Sequence, residues 1–136
     1  MFTLKNDAER TVAAFFAALG AEDWEAARAL MDQNVLWSVM ARGVPGEGSH
    51  RGADAIFEFI RPIRALFEPG SPQITLRTLV SSGNLVIMES HGGGRLRDGR
   101  SYDNHYVMAV EVDGGRVTAL REYMDSYYVH ELLKAD

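Results

Sequence analysis

Two tight-turn signals, Gly83-Asn84 and Asp113-Gly114-Gly115, restrict what this chain can fold into more than any other feature. Each separates two runs with strand composition: Gln73–Ser81 from Leu85–Ser90, and Tyr102–Val112 from Arg116–Asp125. Glycine reaches the left-handed backbone that short hairpin turns demand, and β-branched and aromatic residues suit the pleated flanks. An antiparallel meander over the second half of the chain follows.

A meander needs a cover for its apolar side, and the first half supplies one. Val12, Phe15, Phe16 and Leu19 recur at helical spacing between a cap at Asp7 and a stop at Gly20. A second short helix is expected from Glu22 or Asp23 through Trp24, Ala27, Leu30 and Met31. Val35–Met40 then reads as a strand, and Arg42 to Ser49 as a glycine-rich loop. A third helix starts at Gly52 with Ile56, Phe59, Ile60 and Ile63 on one side, and Pro62 is expected to kink or break it near Ile60. An amphipathic helix over Tyr127–Lys134 ends the pattern, with Asp125 as its cap. Helices first and strands second define the class as α+β.

The 136 residues suit a single domain spanning 1–136, with no repeat or linker inside it. A net charge of −5 argues against a nucleic-acid partner, which needs concentrated positive charge, and Arg95, Arg97 and Arg100 on one loop do not supply it. The absence of cysteine excludes disulfides, thiolate metal sites and cysteine nucleophiles. No run approaches the ~18 apolar residues of a membrane span, and the first residues lack the apolar core of a signal peptide. No membrane association and a cytoplasmic location are therefore expected. His50, His91, His105 and His130 show no His-x-His or His-x-x-x-His spacing, so no metal site is expected. His91-Gly92-Gly93-Gly94 has no Gly-x-Ser-x-Gly elbow to serve as an esterase oxyanion loop, and reads as a loose strand end.

The Asp113-Gly-Gly115 turn sets an approximate register, with Met108 opposite Leu120, Tyr106 opposite Glu122 and Asn104 opposite Met124. These six share one face; His105, Val107, Ala109, Ala119, Arg121 and Tyr123 share the other. Both faces are mixed, so periodicity leaves open which one the helices cover.

Three segments carry a family resemblance: Gly20-Ala-Glu-Asp-Trp24, His50-Arg-Gly-Ala-Asp-Ala-Ile56, and Gly114-Gly-Arg-Val117 with Leu120-Arg-Glu-Tyr-Met-Asp125. With the order of elements, they resemble the SnoaL-like and ketosteroid-isomerase-like branch of the nuclear transport factor 2-like superfamily. The resemblance covers nearly the whole chain. It implies N-terminal helices packed on a strongly curved antiparallel sheet around a conical cavity, a cystatin-like α+β barrel. It also implies a small apolar organic substrate or ligand, no cofactor, and a homodimer through the outer sheet face. Leu120, Glu122, Met124, Asn104, Tyr106 and Met108 would then face the cavity, joined by Glu89 and His91 from the neighbouring strand and rimmed by Trp37 and Phe15.

Gly99-Arg-Ser-Tyr102 and the strand ending at Asp125 are also similar to limonene-epoxide hydrolases. The last acid of that family's Asp–Arg–Asp set falls on Glu122, its arginine on Glu89 and its first aspartate on His91. Its water-positioning tyrosine and asparagine fall on Trp37 and Val39. The functional positions of ketosteroid isomerases fall on about Val39 and Phe15 and near Met108, none of which can do that chemistry.

The resemblance thus implies a site in which Glu122 and His91 exchange a proton near neutral pH. Asn104 and Tyr106 would hold a carbonyl or enolate oxygen, and Glu89, Trp37, Phe15, Met108, Met124 and Leu120 would complete the lining. The expected function is cofactor-independent lyase or isomerase chemistry on an apolar, aromatic or polycyclic carbonyl or alcohol. The alternatives are ligand binding in the same cavity without turnover, and an epoxide-hydrolase-like reaction in a rebuilt site.

Overall fold

The computed structural model describes residues 3–134, so the first two and last two residues of the expected 1–136 domain lie outside the described residues. Four helices and six strands follow one another as α1 (Asp7–Gly20), α2 (Trp24–Ala29), β1 (Met31–Val39), β2 (Gly48–Arg51), α3 (Ala53–Arg64), β3 (Gln73–Ser82), β4 (Leu85–Arg95), β5 (Ser101–Asp113), β6 (Arg116–Met124) and α4 (Ser126–Leu133). The α+β class is as expected, with helices packed against a curved sheet that does not close. The strands lie in the order β2-β1-β6-β5-β4-β3. Strands β3 to β6 are the expected meander, but β1 joins β6 in parallel, which makes the sheet mixed. A parallel pair needs a long connection, and α3 with the whole meander provides it.

Between β1 and β3 the chain departs from expectation in two ways. Residues 48–51 belong to a short edge strand, pairing Leu36 with Arg51 and Val39 with Gly48, so the glycine-rich loop is shorter than expected. Helix α3 runs unbroken through Pro62 to Arg64. The proline removes a partner only from the carbonyl of Glu58, and both residues are exposed, where water can take that bond.

The cap of α1 is Asn6 rather than Asp7. Asn6 Oδ1 accepts from the Glu9 amide at 2.8 Å. Glu9 reaches back to the Lys5 amide at 2.9 Å, and the Ser81 hydroxyl donates to it at 2.5 Å. These bonds tie the helix start to β3 and hold the Glu9 carboxyl below its usual range, the Ser81 bond contributing most.

The β5–β6 register differs from expectation by two residues. Gly114 and Gly115 both take left-handed backbone, so a two-residue turn pairs Asp113 with Arg116, and a bulge follows at Glu111/Val112. Met108 therefore stands opposite Glu122, Tyr106 opposite Met124, and Val110 opposite Leu120. A shift of two keeps every side chain on its face. The inner face carries buried Tyr102, Asn104, Met108, Val110 and Leu120, which join Val12, Phe15 and Ile56 of the helices in one core.

Asp125 caps α4 as expected, its Oδ1 accepting from the Tyr128 amide at 3.1 Å. The cap holds in place a helix whose Val129 and Leu133 wall the cavity described below. Asp125→Ala is expected to cost about 1 kcal/mol, the usual value of an N-cap. Faster amide exchange over residues 127–130 would register it; unchanged exchange would show that the cap does not hold α4 in place.

Candidate active site

The open end of the sheet's inner face leaves a cavity of about 70 Å³. Strand β1 contributes Val39, the following loop Val44, α3 Phe59 and Ile63, and α4 Val129 and Leu133. The polar groups in this apolar cup come from two adjacent strands: Glu122 on β6, and Tyr102 and Tyr106 on β5.

Glu122 Oε1 accepts a hydrogen bond from Trp37 Nε1 at 3.0 Å. Trp37 is itself buried, wedged among Phe15, Phe16 and Phe59 with ring centroids 6.2, 6.3 and 5.5 Å away. Glu122 keeps partial exposure only because it faces the cavity. Burial pushes its carboxyl pKa up from 4.5 to about 7, and the indole bond works in the opposite direction. The result is an acid that changes charge near neutral pH.

Removing that indole bond has a definite sign. Trp37 N–H donation favours the carboxylate, so Trp37→Phe is expected to raise the Glu122 pKa further. A hydrogen bond to a charged group contributes roughly 1.5–3 kcal/mol, equivalent to about one to two pH units. Carbon-13 titration of the Glu122 carboxyl measures this directly; a downward move would show that the indole does not stabilise the anion.

The tyrosines form a donor chain. Asn104 Nδ2 donates to Tyr102 Oη at 3.1 Å, and the Tyr102 and Tyr106 hydroxyls are hydrogen-bonded to each other. Asn104 is held in turn by the His105 amide, which donates to its Oδ1 at 2.9 Å. Burial is the largest cause raising the pKa of both phenols, so both stay protonated as donors.

The expected site residues divide into three groups. Glu122, Tyr106 and Met124 line the cavity; Trp37 bonds to Glu122, and Asn104 stands behind Tyr102. Phe15, Met108 and Leu120 are core residues beneath it rather than lining. Glu89 and His91 are corrections. Strand β4 pairs with β5 so that Glu89 meets Val107 and His91 meets His105, and directly opposed residues share a face. Both therefore project from the outer face, and the sheet separates His91 from Glu122.

Tyr102 and the walls Val44, Phe59 and Val129 are not among the expected residues. Tyr102 is within reach of sequence reasoning, since 102, 104 and 106 alternate onto one face. The walls come from distant elements and carry no sequence signal. His50, on β2, stacks on Phe59 at 4.1 Å and bonds the Gly46 carbonyl through Nε2 at 2.7 Å.

Residues 12–120 match the model of the SnoaL-like domain family. Solved structures resemble the fold over most of the chain. A nuclear transport factor 2-like protein from Burkholderia xenovorans LB400 has a TM-score of 0.78 and 22% identity, covering 98% of this chain and 100% of its own. TerC, co-crystallised with polyporic acid, has a TM-score of 0.82 and 19% identity over 96% of this chain and 100% of its own. An LEH-like epoxide hydrolase of Mycobacterium tuberculosis has a TM-score of 0.73 and 22% identity over 92% of this chain and 87% of its own. Identities this low speak for the fold alone. Comparison with curated protein sequences finds no match.

Proposed function

Because this chain belongs to the SnoaL-like domain family, we propose that it acts on a small, largely apolar carbonyl or hydroxyl compound as a lyase or isomerase, with Glu122 moving the proton. One observation carries this reading: a carboxyl with a pKa of about 7 lies in an apolar cavity beside two protonated phenols. General acid–base catalysis is most efficient when the group's pKa lies near the working pH.

The step follows from the groups present. Ionised Glu122 takes a proton from the carbon next to a carbonyl, and the electron pair moves onto the carbonyl oxygen. With Tyr102 accepting from Asn104 and donating to Tyr106, the Tyr106 O–H is left to donate to that oxygen. Protonated Glu122 then returns its proton, to another carbon in an isomerisation or to a departing hydroxyl in a dehydration. His91 has no part in the step. A cavity of about 70 Å³ lies below the ~300–1,000 Å³ of drug-sized ligand sites, so a polycyclic ligand requires its walls to open.

The test works with a panel of compounds in place of one identified substrate. Small apolar ketones and enones that shift the protein's NMR spectrum are incubated with it in D₂O, and deuterium uptake next to the carbonyl is followed. Uptake with the wild type that is lost in Glu122→Gln is expected. Binding without any exchange would overturn catalysis in favour of a ligand-binding role. We also propose a homodimer through the outer face, where Val80, Val107 and Tyr123 are 55%, 37% and 42% exposed. No helix among the described residues is long and apolar enough to cross a membrane.

A further inference from the structure

We propose that His91, Asp103 and His105 form a binding site for one first-row divalent metal ion on the outer face of the sheet. The side-chain donor atoms of the three residues all lie within 4.8 Å of one another. With metal bonds of about 2.0–2.2 Å, neighbouring ligand atoms sit about 3.0–3.5 Å apart. Small side-chain rotations bring the three donors to that spacing. His105 and Asp103 are free to make them, since both are exposed.

The backbone holds the three donors in place. His91 and His105 are direct partners in the β4–β5 ladder, and Asp103 lies two residues before His105 on the same face. The two imidazole rings are 5.1 Å apart at 52°, tilted toward each other rather than stacked. His91 Nε2 already lies 2.5 Å from Asp103 Oδ1, so the carboxylate and one imidazole converge without the ion.

The glycine run provides a second, independent observation. Gly93 is the ladder partner of Asp103, and a Cβ placed on it would sit 3.0 Å from His91 Cε1. Gly93 does not take left-handed backbone, so its conformation does not require glycine. What glycine supplies is space: the His91 ring lies over it and thereby reaches Asp103. The run is part of a regular strand rather than the expected loose end. Spacing along the chain conceals the site, because its two histidines meet across strands.

Two imidazoles and one carboxylate suit Zn²⁺, Co²⁺, Ni²⁺ or Cu²⁺, whereas Mg²⁺ and Ca²⁺ take oxygen-rich shells. The Asp103 side chain is 71% exposed in the single chain, which there leaves the solvent side of an ion open to water. The cluster is on the opposite side of the sheet from Glu122, so it stands apart from the proposed proton transfer.

The experiment is calorimetric titration of the full, tag-free, chelator-treated chain with ZnCl₂, repeated with CoCl₂ while visible absorption is followed. One equivalent of Zn²⁺ is expected to bind. Loss of one ligand through His91→Ala or His105→Ala should weaken binding by roughly 100-fold. Gly93→Ala keeps all three ligands but displaces the His91 ring, and should weaken binding by roughly 10-fold. Circular dichroism confirms that each variant folds. The site is overturned if the wild type takes up no Zn²⁺, if it prefers Mg²⁺, or if the double variant His91→Ala/His105→Ala binds Zn²⁺ as the wild type does.

Discussion

Glu122→Gln is expected to lower the rate of proton transfer by about 10²–10⁴, the usual contribution of a positioned general base, while leaving ligand affinity nearly unchanged. Glutamine has almost the same shape, and its carbonyl oxygen still accepts from Trp37 Nε1, now 3.0 Å from Glu122 Oε1. It simply cannot take a proton. In the wild type, kcat/KM should rise through about pH 7 as Glu122 ionises. The variant's residual rate should show no such rise. A variant that retained both the rate and the pH profile would remove Glu122 from the mechanism.

The same substitution should also make the protein more stable in alkaline solution. Folding moves the Glu122 pKa from 4.5 up to about 7, because the cavity desolvates the charged form. At 1.36 kcal/mol per pH unit this corresponds to about 3 kcal/mol. For a raised carboxyl the sign is fixed: the protonated form suits the folded state below pH 4.5, and that advantage is lost as pH rises to about 7. Above that, the wild type carries a buried carboxylate that the unfolded chain would have solvated. Glu122→Gln avoids this loss, so its advantage should be near zero at pH 4, grow through neutrality and level off by about pH 8. Acids with lowered pKa values, such as Glu9 and Asp103, act equally in both proteins and cancel in the difference. Urea unfolding of both proteins across this range measures the effect; parallel stability curves would show that the carboxyl is not desolvated.

Where the sequence misleads, the cause is physical. The β5–β6 register moves by two residues because the turn is one residue shorter than Asp113-Gly114-Gly115 suggests and a bulge adds one more. The faces survive because side chains alternate with a period of two. The departure at His91 runs deeper. If Gly92-Gly93-Gly94 is a loose end, β4 stops at Ser90, and the ladder that pairs His91 with His105 has no place. Strand β2 escapes sequence reading because four residues, Gly48 to Arg51, show no alternation.

What the sequence determined by itself is what nearby residues dictate to one another: the hairpin turns, the Asp125 cap, the α+β order and the membership of each β5–β6 face. These depend on backbone preference and spacing over a few positions. The tertiary structure alone decided the chemistry. It put Trp37 against Glu122 across 85 positions, enclosed that carboxyl between α3, α4 and the sheet, and turned His91 to the far side. Burial and cross-strand pairing are set by residues distant in the chain, and on them depend both the pKa of an acid and the groups it can reach.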